Sequence, residues 1–251
     1  MDIKGKAAFV TGGSGDIGSA IAKGLAETGA DVAVSYIGYQ EGAAATVEAV
    51  KAAGRRGLTV QLDQRDPSSI DASVDTVMGE LGRVDILVNN AAWNIGIPFT
   101  DLDALTPDIW DRVLETNLRG PYLLSRAFAK HLRAHGGGRI VNIASAGGIY
   151  PGSSSIAYSS SKAGLIHLTR CLAVALAPDV TVNCIAPGLV EGTRMAKRLP
   201  EEVAKAVRDQ VLLSRVGSAE DIAQQVVMFC RSESITGQVM VIDGGMPGAM
   251  R

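Results

Sequence analysis

The sequence predicts an α/β fold: a doubly wound parallel sheet of about seven strands flanked by helices, in a single domain. Three observations carry that reading. Short β-branched or apolar runs alternate with longer helical patterns along the chain. Most of the runs are apolar at consecutive positions, which suits strands covered on both faces. The first run passes directly into a glycine turn that opens a helix, as in nucleotide-binding sheets. The β–α units are too few for an eight-stranded barrel.

In chain order, the strands are expected at 7–11, 31–36, 58–62, 84–88, 139–144, 181–185 and 238–242. The helices between them are expected at 17–28, 42–53, 67–81, 108–135, 156–177 and 219–231. Each strand is short and each helix is long enough to cross back over a sheet, so right-handed crossovers follow. The helix at 108–135 ends at the run Gly136-Gly137-Gly138.

The 251 residues show no Pro/Ser-rich or charged linker and no solenoid-length repeat. With 47% hydrophobic and 20% charged residues, the chain has ample material for a core. A net charge of −2 gives no electrostatic case for nucleic acid or an anionic membrane as partner. The N-terminal residues lack the basic and apolar segments of a secretory signal, and charges such as Arg170 and Asp179 interrupt any spanning stretch. Cys171, Cys184 and Cys230 are odd in number and have no CxxC spacing, so they read as small apolar residues in a reducing compartment. A soluble, cytoplasmic protein is expected.

The first turn reads Thr11-Gly12-Gly13-Ser14-Gly15-Asp16-Ile17-Gly18. Gly13, Gly15 and Gly18 satisfy GxGxxG between a strand and a helix. Glycines there let backbone approach a pyrophosphate and aim free helix amides at its charge. The first expectation is therefore a Rossmann-type dinucleotide site. An acid at the end of the second strand would hold the adenosine ribose and favour NAD. That end reads Val34-Ser35-Tyr36-Ile37-Gly38, without one, while Asp31 stands at the opposite end. No Arg or Lys lies between Lys23 and Lys51 to grip a 2′-phosphate. NAD and NADP both stay open, with a lean to NADP.

Tyr158-Ser159-Ser160-Ser161-Lys162 lies in a helical pattern, so its phenol and ammonium, four residues apart, share a face. A lysine charge, helped by an oxidised nicotinamide, would bring a tyrosine towards useful acid–base strength.

With these residues the chain resembles the short-chain dehydrogenase/reductase family from Lys6 to Gly245. Residues 11–18 resemble the family's TGxxxGxG turn, and Asn89-Asn90-Ala91-Ala92 its NNAG segment. Asn117 falls in a matching asparagine segment, and Ser145 stands thirteen residues before Tyr158 as the family's serine does. Asn183, Pro187-Gly188, Thr236-Gly237-Gln238 and Asp243-Gly244-Gly245 complete the series.

The resemblance implies an NAD(P)-dependent oxidoreductase that moves a hydride between nicotinamide and a small carbonyl or secondary-alcohol substrate. Tyr158 would be the acid/base, Ser145 would hold the substrate oxygen, and Lys162 would bind the nicotinamide ribose. Asn117 would hold a water linking Lys162 to solvent. The cofactor would lie along Gly12, Ser14, Gly15, Asp16, Ile17 and Gly18, with Tyr36 at the ribose and Asp63 and Gln64 near the adenine. Asn90, Ala91 and Ala92 would form its floor; Pro187, Gly188, Val190 and Thr193 would flank the carboxamide. No metal is required in this chemistry. A homotetramer is implied, with the 108–135 and 156–177 helices at its interfaces.

Some residues depart from the family pattern. Asp16 stands where the turn has its middle glycine; it is expected to cap the helix. Ala92 replaces a glycine, Thr193 sits one position late, and the stretch between Phe229 and Thr236 is short. His131 and His135 have the spacing of a metal pair but no nearby acid, so they read as helix-end residues. His167 lies off the Tyr158–Lys162 face. Arg194, Lys197 and Arg198 follow Pro187-Gly188 where the resemblance places a substrate lid; they are expected as a solvated helix face, the alternative being contact with an acidic substrate such as a carrier-protein thioester. With the family geometry, Trp93, Ile95, Ile97, Tyr150 and Pro151 would line a partly apolar substrate cleft; the equal alternative is that they pack loops. Substrates compatible with this site are 3-oxoacyl thioesters, sugars or polyols, and apolar ketones. The alternative function is a non-catalytic NAD(P) sensor or scaffold on the same fold, which could dispense with Tyr158 or Lys162. A methyltransferase would leave the Tyr–Lys segment unexplained.

Overall fold

Successive side chains along each strand divide between two helical layers. In the computed structural model, which describes residues 1–247, the first half comprises β1 (Ala7–Val10), α1 (Asp16–Glu27), β2 (Asp31–Tyr36), α2 (Gln40–Ala52), β3 (Gly57–Gln61), α3 (Pro67–Leu81) and β4 (Ile86–Asn89). The second half begins with α4 (Pro107–Leu114), which passes through a π-helical turn (Glu115–Arg119) into α5 (Gly120–Arg133). Then come β5 (Gly138–Ile143), α6 (Ile156–Leu176), β6 (Val180–Pro187), α7 (Glu201–Gln210), α8 (Ala219–Arg231) and β7 (Val239–Ile242).

Among the described residues the strands form one seven-stranded sheet in the order β3-β2-β1-β4-β5-β6-β7, with every neighbouring pair parallel. On one face Ala8, Val10, Val32, Val34, Ile86 and Val88 pack with residues of α1, α2 and α8. On the other, Ala7, Phe9, Ala33, Leu87 and Ile140 meet α3, α5 and α6. Two buried faces explain why the strand sequences do not alternate with polar residues. Phe9 and Phe128 meet at the second face with ring centroids 5.4 Å apart.

Helix ends follow local chemistry. Asp66 caps α3 by accepting from Ser68 N–H, with Pro67 in the first turn and left-handed Gly82 closing it. Thr106 caps α4 in the same way, and Ser218 with Asp221 forms a reciprocal capping box on α8. The strand order reverses between β1 and β4, the switch point beside which doubly wound sheets form their ligand crevice, outside the carboxyl ends of the strands.

The helix expected at 108–135 is interrupted by the π-turn and ends at Arg133, leaving His135 outside it. Helix α7 was not legible: Glu201, Glu202, Lys205, Arg208 and Asp209 make it polar almost all round, and Ala204 is its buried residue. No helix among the described residues is long and apolar enough to cross a membrane.

Candidate active site

The glycine turn after β1 is held from three sides. Thr11 Oγ1 accepts from the N–H groups of Asn90 and Ala91, both at 3.0 Å, while Asn90 Nδ2 donates to Thr11 O at 2.9 Å and Gly12 O at 3.2 Å. Gly12 N–H donates to Ser35 Oγ (3.0 Å), and Thr46 Oγ1 donates to Gly13 O (2.8 Å). Gly12 has φ of +65°, and a Cβ there would sit 2.9 Å from Ala91 Cα. A Cβ on Gly18 would overlap the carbonyl of Gly12. Gly15 is the N-cap of α1 and provides no side-chain cap, so the first-turn amides over Asp16, Ile17 and Gly18 keep their donors for an anion. This cradle fits a dinucleotide pyrophosphate.

Asp16 does not cap α1. It is the helix's first residue, and its carboxylate accepts from the main-chain N–H of Arg194 at 2.8 Å, with Arg194 Nε 3.7 Å from Oδ2. Arg194 Nη2 donates to Ser14 O at 3.3 Å, and its guanidinium lies 4.9 Å from the Tyr39 ring centroid. Arg194 is thus folded onto the turn, in place of the solvated helix face expected for it. Lys197 is exposed; the side chain of Arg198 lies outside the described residues.

Several cofactor-side candidates turn out to brace the frame. Gln64 is buried, its Nε2 donating to Ala91 O (3.1 Å) and Thr116 O (2.6 Å). Asp63 forms a two-point pair with Arg65 at 3.0 and 2.7 Å, and this hydrogen bonding holds its carboxyl below the usual range against the opposing effect of burial. Tyr36 closes β2 half-buried against the core, and its carbonyl accepts from Leu62 N–H. Ala91 is half-buried and Ala92 exposed.

On the other side of the crevice, β5 and α6 present Ser145, Tyr158 and Lys162. Ser145 follows β5 and caps a short turn by accepting from Gly147 N–H at 3.1 Å. Ser155 caps α6 by accepting from Tyr158 N–H, so the tyrosine sits in the helix's first turn. Tyr158 is buried with Val113 and Ala157, and Trp93 packs against them. Burial pushes the Tyr158 phenol above its ordinary value, and the nearby Ser145 hydroxyl pulls it partly back. Lys162 donates to Ile143 O at 2.7 Å, with Nζ 5.6 Å from the Tyr158 ring centroid. Burial lowers Lys162 to about 8. In the protein alone the phenol's shift is thus upward and governed by burial, opposite in direction to the one expected from Lys162.

Asn117 lies in the π-turn and is fully buried. Its Oδ1 accepts from Trp93 N–H (2.8 Å), and its Nδ2 donates to Trp93 O (2.9 Å) and Ser161 Oγ (3.1 Å). A π-turn inside a helix re-aims a side chain in this way. The amide ties the Trp93 loop to α6 at the level of Tyr158.

After β6, Pro187 closes the strand and Gly188 N–H donates to Ile242 O, so close to Asp243 that a Cβ would lie 2.7 Å from its Cβ. Val190 is buried and bridges to Gly217. Thr193 Oγ1 donates to Val190 O (2.9 Å) and accepts from Ala196 N–H (3.2 Å), so its hydroxyl is already engaged within the segment after β6. Of the cleft residues, Ile97 is buried, with its N–H on Ser154 O; Ile95 and Tyr150 are half-buried and Pro151 is exposed. His131 packs edge-on to Phe128, and His167 is exposed on α6. Sequence reasoning missed Ser35, Thr46, Tyr39 and Ser155. Ser155 had a signal, a serine three residues ahead of Tyr158 at a helix start. The others make contacts that only the tertiary structure brings together.

Residues 13–247 match the protein family described as Enoyl-(Acyl carrier protein) reductase. The 3-oxoacyl-[acyl-carrier-protein] reductase of Vibrio harveyi is 37% identical over 250 residues, covering 98% of this chain and 99% of the relative. The chain belongs to the short-chain dehydrogenase/reductase family. A short chain dehydrogenase from Burkholderia cenocepacia J2315, solved in complex with NADP, is 39% identical with a TM-score of 0.90, covering 98% of this chain and 100% of that one. An NAD+-bound xylitol dehydrogenase superposes with a TM-score of 0.91 at 28% identity, over 98% and 100% of the two chains. As a member of this family, the protein is an NAD(P)-dependent oxidoreductase acting on CH–OH and C=O groups, and the scaffold alternative falls away.

Proposed function

We propose that this short-chain dehydrogenase/reductase reduces the ketone of a 3-oxoacyl thioester with NADPH, using Tyr158 as proton donor. The observation that carries the chemistry is the Ser145–Tyr158 pair at the carboxyl end of β5, with Lys162 buried on the same helix. The nicotinamide, when bound, supplies the hydride. Ser145 and Tyr158 would hold the substrate oxygen, fixing the carbonyl for attack. A phenol raised by burial stays protonated at neutral pH, the state needed to give a proton to the developing alkoxide. Lys162 carries its charge below about pH 8 and, held by Ile143 O, stabilises the phenolate left behind. Asn117 already uses its amide on Trp93 and Ser161, so a water linking Lys162 to solvent would use the second lone pair of Oδ1 or a carbonyl opened by the π-turn.

The absence of an acid at the end of β2 supports NADP, as does likeness to a relative solved with NADP. Likeness to 3-oxoacyl-[acyl-carrier-protein] reductases supports the thioester. Assembly as a homotetramer is part of the same reading, with Trp110 of α4 and Tyr122 of α5 as exposed aromatic side chains on the proposed faces. NADPH consumption should be followed with a short 3-oxoacyl thioester, and NAD(P)+ reduction with a panel of polyols. Turnover of the thioester at low substrate supports the assignment; turnover of polyols alone would replace it with a polyol dehydrogenase.

A further inference from the structure

The β2 end offers no cation of its own, yet a cation is present beside it. Arg194 reaches across from the segment after β6, some 180 residues away in sequence, to Ser14 O. Its guanidinium lies between the glycine turn and the Tyr39 ring, three residues beyond the end of β2. A Cβ built on Gly15 would lie 3.7 Å from its Nη2. In a doubly wound sheet this corner, between the first turn and the end of the second strand, is where the adenosine ribose rests.

We infer that Arg194 is the residue that selects NADP, its guanidinium taking the 2′-phosphate from the lid side. The side chain suits the task. It is 54% exposed, and of its five N–H donors the hydrogen bond to Ser14 O uses one. Its fork matches a phosphate in two-point geometry. Asp16 has a positive role in this arrangement. By accepting the Arg194 main-chain N–H at 2.8 Å it pins the lid where the guanidinium overlies the corner. A glycine at position 16 has no such acceptor. The selectivity device thus consists of an arginine and its anchor, each placed by the other, on the dinucleotide site described above.

The test is a fluorescence titration of the full chain with NADPH and, separately, NADH, for the wild type, Arg194→Ala and Arg194→Lys. The exposed position of Arg194 lets all three fold, which thermal melts verify. Arg194→Ala should weaken NADPH binding by about tenfold or more, as loss of a charge-assisted contact does, and NADH binding by less than about twofold. Arg194→Lys should recover part of the NADPH affinity. Equal losses for both nucleotides would place the guanidinium on the shared pyrophosphate and overturn the inference, as would NADPH affinity untouched by Arg194→Ala. A wild type that binds neither nucleotide would overturn the dinucleotide reading itself.

Discussion

On the β5–α6 side of the crevice, Asn117, Ser155, Ser161 and Lys162 are at most 2% exposed, and all four are fixed by hydrogen bonds to backbone or to one another. On the β1–lid side, the closing contact is between Asp16 and Arg194, whose side chains are 40% and 54% exposed. One side is built like core and the other like surface. Desolvation shifts the pKa of a buried group and unmade hydrogen bonds there are costly, whereas an exposed ion pair contributes little stability and rearranges readily. Changes on the first side should therefore alter the chemical step, and changes on the second should alter which nucleotide binds and how tightly.

The sharpest way to break that contrast is Tyr158→Phe. Its ring keeps the packing with Val113 and Ala157 but has no proton to give. Turnover should fall about a thousandfold or more, with NADPH affinity within about twofold, measured as kcat and by titration. Retained turnover would remove Tyr158 from the mechanism.

Next in size is Asn117→Ala, which leaves the Trp93 peptide and Ser161 without their partner. A loss of about 1–3 kcal/mol in unfolding free energy is expected from chemical denaturation, together with a lower kcat. Unchanged stability would mean the Trp93 loop is held by other contacts.

Lys162 links burial to pH. Its folded pKa, about 8, lies below its ordinary value of 10.5, so between these values the unfolded chain binds the proton more strongly than the folded one. Its contribution to stability is complete above pH 10.5 and is lost as pH falls towards about 8. Against Lys162→Met, the wild type should gain stability as pH rises through that window. Parallel stability curves for the two proteins would show that burial does not depress this lysine.

The smallest effect is expected at Asp16→Asn, which keeps an acceptor for Arg194 N–H and removes the charge. Its stability should change by less than about 1 kcal/mol, read from the thermal midpoint. A larger loss would show that the lid side is held as firmly as the catalytic side.

The sheet was legible because both of its faces are buried, so its strands read as unbroken apolar runs such as Ala7-Ala8-Phe9-Val10. Tyr158 and Lys162 were legible as a pair because helix periodicity puts residues four apart on one face, whereas Ser145 was legible only through the family resemblance, since it lies outside that helix. Asn117 was visible as a residue, but the π-turn that aims it was not, since periodicity does not register one inserted residue within a helix. Asp16 read as a helix cap because sequence shows its neighbours along the chain; its partner, Arg194, arrives from the other end of the sheet. Helix α7 escaped because its face against the protein is too narrow for a hydrophobic pattern.

The pH dependence of both reaction directions in one enzyme tests the central claim, that Tyr158 exchanges the proton under the charge of Lys162. Reduction needs the protonated phenol and the ammonium, so its rate should hold through neutral pH and fall above about 8. Oxidation needs the phenolate of a tyrosine that burial keeps protonated, so its rate should climb with pH across the same range. Reduction that accelerates as pH rises, or oxidation that slows, would contradict the assignment of Tyr158 as the acid/base.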